Sequence, residues 1–124
     1  MYVKVLTVTG SKTLAITCKH VIAPIGEKVF AVLGSDRILY TPIDGDIGKE
    51  YAVRVVKGTA WNVTKVKPHK IKDSIAYTIP KNFAQTLGIH KGEKVLVIGK
   101  ENVLEVIPVN TVIEKVGKFR EPTL

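Results

Sequence analysis

Residues 74–109 read SIAYTIPKNFAQTLGIHKGEKVLVIGKENVLEVIPV, and the fold follows from how this stretch breaks into elements. Thr78 and Ile79 are β-branched and run into Pro80, which cannot continue a hydrogen-bonded ladder but suits the first turn of a helix. Phe83, Ala84 and Leu87 stand at helical spacing, and Gly88 is a natural stop. Lys91, Gly92 and Glu93 are turn formers. Beyond them, Gly99 to Asn102 separates two apolar runs, each short enough to be a strand. The expectation is a strand, a short helix and a β-hairpin.

The same wording occurs earlier in the chain. Gly26-Glu27-Lys28-Val29 matches Gly92-Glu93-Lys94-Val95 at a distance of 66 positions, and Pro42 matches Pro108 at the same distance. Ile16 aligns with Ile79 at 63, so the difference falls in the connector from Cys18 to Ile25, which Pro24 keeps from becoming a long helix. Residues 2–9 alternate as a strand, Gly10 to Lys12 turn it, and Thr13 to Thr17 form a second strand. An internal duplication is expected, with a shortened helix in the first copy. A unit of this size cannot close its own hydrophobic face or hide its edges. The two copies are therefore expected to complete one another.

The order of motifs resembles the AbrB/MazE/SpoVT swapped-hairpin family of small DNA-binding transcription factors and antitoxins. The residues that carry the likeness are Ile79-Pro80-Lys81, Leu87-Gly88-Ile89, Gly92-Glu93-Lys94-Val95 and Ile107-Pro108, in the family's order and spacing. Upstream, Lys70 to Ala76 resembles the family's basic–apolar–Gly-Asn-Ser run, with Lys72-Asp73 in place of Gly-Asn. Thr78 stands where many members carry arginine. The resemblance implies a mainly β fold with short helices, in which two copies interleave their hairpins into one small barrel. The expected organisation is a first repeat over 1–43, a linker or extra hairpin over 44–61, a second repeat over 62–109, and a short helix or tail over 110–124. Tyr51 to Lys57 alternates and Trp61 to Lys67 resumes as a strand, which is the basis for the extra hairpin. Asn110 is placed to cap a helix through Val116.

Composition narrows the function classes. The 124 residues carry a formal net charge of +8 and are 45% hydrophobic, which fits a folded protein with a polyanionic partner, nucleic acid ahead of a membrane surface. One cysteine excludes an internal disulfide and fits a reducing compartment. No apolar run approaches the ~20 residues of a membrane-spanning helix, and the first residues alternate like a strand rather than a signal peptide. The expected location is the cytoplasm.

Lysine is unevenly placed. Residues 65–81 hold Lys65, Lys67, Lys70, Lys72 and Lys81 against Asp73 alone, and the first 26 residues hold Lys4, Lys12 and Lys19 with no acid. Lysines on strands that share a surface can follow phosphates along a groove. The DNA-contacting residues are expected to be Lys4, Lys12, Lys65, Lys67, Lys70 and Lys72, with Lys81 and Asn82 at the start of the helix. No arginine falls in these runs, so backbone positioning and shape reading are expected over a sharp base code. His20, His69 and His90 lack ligand-like spacing and are read as surface or phosphate-contacting residues, with no metal site and no cofactor. Cys18 is read as a buried, inert residue and Trp61 as core. No catalytic motif is present, and an enzyme is not expected. The reading is a modestly specific or sequence-tolerant double-stranded DNA-binding regulator. An antitoxin-like protein with a toxin partner ranks second, and a homodimer remains open.

Overall fold

The computed structural model describes residues 1–10, 12–58 and 61–109. Among them are nine strands, β1 (Tyr2–Thr7), β2 (Ala15–Cys18), β3 (Val29–Leu33), β4 (Ile38–Pro42), β5 (Val63–Val66), β6 (His69–Ile71), β7 (Ser74–Thr78), β8 (Lys94–Lys100) and β9 (Val103–Pro108). Two helices, α1 (Asp46–Val56) and α2 (Lys81–Leu87), complete the fold. The helix expected from Asn110 lies outside the described residues. No helix among the described residues is long and apolar enough to cross a membrane.

Every strand pairing is antiparallel. A six-stranded sheet has the order β1-β8-β9-β4-β3-β5, and a three-stranded sheet has the order β2-β7-β6. The two hairpins share one register: Val29 faces Pro42 and Ala31 faces Tyr40, while Val95 faces Pro108 and Val97 faces Val106. Their inner strands meet through Ile38↔Val106 and Tyr40↔Leu104. The first strand of the chain pairs with the distant hairpin, Leu6 against Val95, and β5 pairs back onto the earlier one, Val66 against Val29.

The expected closed barrel is not formed. β1 and β5 are the open edges of the larger sheet, and the bridge Thr9↔Ala15 ties β1 to β2 in the smaller one. The core fills the space between the sheets. Ile16, Cys18, Ile75 and Tyr77 of the small sheet pack in one cluster with Val29, Ala31, Ile38 and Tyr40, and with Val95, Val97, Leu104 and Val106. In β8 and the first half of β9 the buried residues alternate with half-buried ones, as period-two patterning requires, and β9 ends on three buried residues, Val106 to Pro108.

Two tyrosines fasten the sheets to each other and to the connector. Tyr40 Oη donates to the Thr78 carbonyl at 2.7 Å, and Tyr77 Oη donates to the His20 carbonyl at 2.7 Å. Their rings lie 5.4 Å apart and tilted, a favourable edge-on arrangement. Burial, with Cys18 adding a smaller effect, pushes both phenols well above the usual tyrosine range.

Helix α2 is built as its residues predict. Pro80 precedes it, Phe83 and Ala84 are its buried face, and Gly88 adopts φ 70°. The Ile89 amide returns to the Ala84 carbonyl at 2.8 Å and Gly88 to Gln85 at 3.4 Å, a Schellman ending that only a left-handed residue permits cheaply.

Three expectations are corrected. Where a linker or an extra hairpin is expected over 44–61, Asp46–Val56 form α1 in place of a first hairpin strand: Asp46 sits in its first turn, and Arg54 pairs with Glu50 at 3.4 Å across one turn. Gly48 fits because a Cβ there would come within 1.9 Å of the Pro42 carbonyl. The connector between β2 and β3 forms bends and a turn without the shortened helix, in line with Pro24 and a left-handed Gly26 at φ 93°. Trp61 is 85% exposed, ahead of the point where β5 begins, and is not part of the core.

Candidate nucleic-acid interface

Of the predicted lysines, Lys70 and Lys72 belong to the small sheet and its β6–β7 turn, and Lys12 and Lys81 stand near its other end. Ile16 faces Tyr77 and Cys18 faces Ile75 across the β2–β7 pair, and all four belong to the core. Ala15, Thr17, Ala76 and Thr78 therefore occupy the opposite face, because side chains alternate along a strand. His69 is paired with Ala76 and shares that face from the β6 edge. Ala15, Thr17 and Thr78 are half-buried on this face and His69 is exposed, while Ala76 at its centre is covered by its neighbours.

Basic residues stand at both ends of this surface. At one end Lys72 forms the tip of the β6–β7 turn, while Lys70, paired with Ile75, is exposed at the β6 edge on the core-side face. Lys72 has φ 55°, the sole non-glycine residue with positive φ among the described residues. At the other end, the loop before β2 and the start of α2 bring Lys12 and Lys81 to the rim of one groove of about 380 Å³. His90, Gln85 and Thr13 share its walls, and no carboxylate does. Asn82 is exposed in the first turn of α2. From Ser74 to Thr78 the chain advances about 13 Å at strand rise, which sets the scale of the separation between the two ends.

The other predicted contacts disperse. Lys4 lies on β1 opposite Val97, and Lys65 lies on β5 opposite Phe30, at the two far edges of the larger sheet. Lys67 stands between β5 and β6. Lys4 and Lys65 are thus not brought to the small sheet, because β1 and β5 both join the larger one.

Ion pairing separates the same two regions. Arg37 bonds Asp36 at 2.9 Å and Glu105 at 3.2 Å, and Lys100 approaches Glu105 at 3.8 Å. Asp36 foremost, then Glu105, hold the Arg37 guanidinium firmly in its charged form, against the effect of burial. Arg54 pairs with Glu50 and lies 5.4 Å from the Tyr51 ring centre. Both described arginines are thus engaged by carboxylates. None of the eight predicted contact residues takes part in an ion pair among the described residues.

Two further residues depart from or extend the sequence reading. His20 is half-buried rather than a surface histidine: its Nε2 meets the Lys100 carbonyl, its ring lies 6.0 Å from that of Tyr2, and it covers Gly99. Cys18 is buried as expected, and burial pushes its thiol up despite a smaller opposing backbone hydrogen bond at His20. His90 and Gln85 belong beside Lys12 only because α2 packs next to the β1–β2 loop, and no local pattern announces that meeting. Among the described residues no group of three or more His, Cys, Asp or Glu side chains is placed to hold a metal ion.

The fold is thus a mainly β arrangement of antiparallel sheets with two short helices. No family model, curated protein or solved structure matches the chain.

Proposed function

We propose that this protein binds double-stranded DNA in the cytoplasm as a transcriptional regulator, using a duplicated swapped-hairpin fold within one chain. The observation that carries the reading is the exchange of first strands. β1 pairs with the later hairpin and β5 with the earlier one, so the order β1-β8-β9-β4-β3-β5 reads alike from either end once each strand is replaced by its repeat partner. The equal register of the two hairpins supports the same duplication. In that arrangement β2 and β7, the second strands of the two copies, pair at the centre and carry basic residues at both ends.

The dimensions suit a duplex. Three strands span about 10 Å at the usual spacing, against a major groove about 12 Å wide. Lysines at the ends of that face, without ion-pair partners among the described residues, would meet phosphates on either side. With lysine as the contacting cation, affinity rests on the backbone and on DNA shape, and sequence preference is modest.

The test is a binding titration of the full chain against random duplex DNA over a range of salt. Affinity should fall with a log–log slope of about −0.9 for each phosphate neutralised. Lys70→Glu with Lys72→Glu, both exposed, should remove most of the affinity while the melting transition persists. Unchanged binding by the folded double variant would exclude this surface.

A further inference from the structure

We infer that the groove between the β1–β2 loop and α2 is a site for a nucleotide, a phosphate ester attached to a planar ring. Its volume, about 380 Å³, lies within the range of small-molecule sites, about 300–1,000 Å³. The rim is cationic: Lys12 enters from the loop, Lys81 from the first residue of α2, and His90 from the turn after that helix. Three separate elements therefore contribute donors to one lining, and among the described residues no carboxylate borders it.

A bare anion would need only that rim, but the groove has a second character. Half-buried Leu14 supplies most of its apolar floor, with only the edges of Ile79, Ala84 and Ile89, each almost wholly buried, reaching the groove. The Leu14 carbonyl accepts from the Ile79 amide at 2.8 Å, and the Ile89 amide bonds the Ala84 carbonyl at 2.8 Å, which ties Leu14 to the residue before α2 and Ile89 to the helix. An apolar floor beside a cationic rim suits a ring lying flat with its phosphate at the edge. Gln85 and Thr13 supply the amide and hydroxyl that would read the ring's polar edge. Lysine-to-phosphate bonds are charge-assisted and provide the anchoring energy.

Two sources offer this chemistry: a free nucleotide acting as an effector, or one nucleotide of a bound DNA strand. Lys12 and Lys81 also belong to the proposed duplex interface, so a free nucleotide in the groove would compete with DNA. The groove argument stands on the convergence of these side chains and does not depend on the duplex reading.

The experiment is amide chemical-shift mapping of the isotope-labelled full chain with ADP, with inorganic phosphate at equal concentration, and with a short duplex. ADP should shift Thr13, Leu14, Gln85 and His90 at saturable concentrations, and phosphate alone should bind the same residues more weakly. Lys12→Met with Lys81→Met should weaken ADP by about tenfold or more, since each removes a bond to a charged group; both residues are exposed, so the fold is retained. If the source is a free nucleotide, the duplex leaves Leu14 and Gln85 unshifted, although ADP and duplex compete through Lys12 and Lys81. If it is a DNA nucleotide, the double variant lowers duplex affinity while ADP and duplex shift the same groove residues. ADP shifts spread equally over Lys70 and Lys72, indifference to the double variant, or equal binding of phosphate and ADP would each overturn the nucleotide site. Loss of duplex binding in Lys70→Glu with Lys72→Glu leaves the ADP result untouched, so the two readings fail separately.

Discussion

Lys72→Gly should strengthen the fold and weaken DNA binding, and few other substitutions would separate the two so cleanly. Lys72 sits at the tip of the β6–β7 turn with φ 55°, in the left-handed region. A side chain with a Cβ pays about 1–2 kcal/mol there. Glycine is released from that cost but loses about 0.5–1 kcal/mol through the greater freedom of the unfolded chain. The net gain is about 0.5–1 kcal/mol, a rise in Tm of about 2–5 °C for a chain of this size. The same change removes one unpaired cation from the proposed interface, which should lower the salt slope by about 0.9 and reduce affinity by roughly fivefold to tenfold at moderate salt. Calorimetric melting and fluorescence anisotropy with a labelled random duplex measure the two effects. A substitution that merely loosened the sheet would lower both quantities. A variant that is less stable than the parent, or one with unchanged affinity and unchanged salt slope, would refute the reasoning.

Two further outcomes follow from the core. Tyr40 and Tyr77 have phenols raised by burial, so the folded chain holds those protons more tightly than the unfolded chain does. Their contribution is fully present below the ordinary tyrosine value of about 10 and is lost as pH rises above it, because the unfolded state then sheds protons first; a Tyr40→Phe, Tyr77→Phe variant should flatten that alkaline fall in a pH series of melts. Gly99→Ala places a Cβ 2.5 Å from the His20 ring, and overpacking there should cost about 1–3 kcal/mol in chemical denaturation, most of it restored by adding His20→Ala.

The parts of the fold that were legible in the sequence are those whose cause is local. Pro80, Phe83, Ala84 and Gly88 define α2 through neighbours within a turn, and the helix runs where they place it. The two hairpins follow from short apolar runs around turn residues, and their matching register follows from the repeated Gly-Glu-Lys-Val and proline. Residues 51–57 misled because the sequence YAVRVVK satisfies a strand's alternation and a helix's spacing at once. The helix forms because Gly48 lets it sit against the Pro42 carbonyl, a contact no pattern displays. It leaves Val53, Val55 and Val56 exposed, so its apolar residues are not gathered on one buried face. Half of the candidate site was legible for a related reason. The charge runs pointed to Lys70, Lys72, Lys12 and Lys81, whereas assigning Lys4 and Lys65 to the same face required knowing that β1 and β5 leave for the larger sheet. His90 beside Lys12 is a meeting of residues far apart in the chain.

The most direct measurement is hydrogen exchange of the full chain with and without random duplex DNA, read residue by residue. The account predicts new protection on β2, β6 and β7, at the Lys72 turn and at the start of α2, with α1 and the outer edge of β5 unchanged. Protection confined to α1 and Trp61, or to the β1 and β5 edges, would contradict it, as would a chain whose exchange the duplex does not alter at any salt concentration.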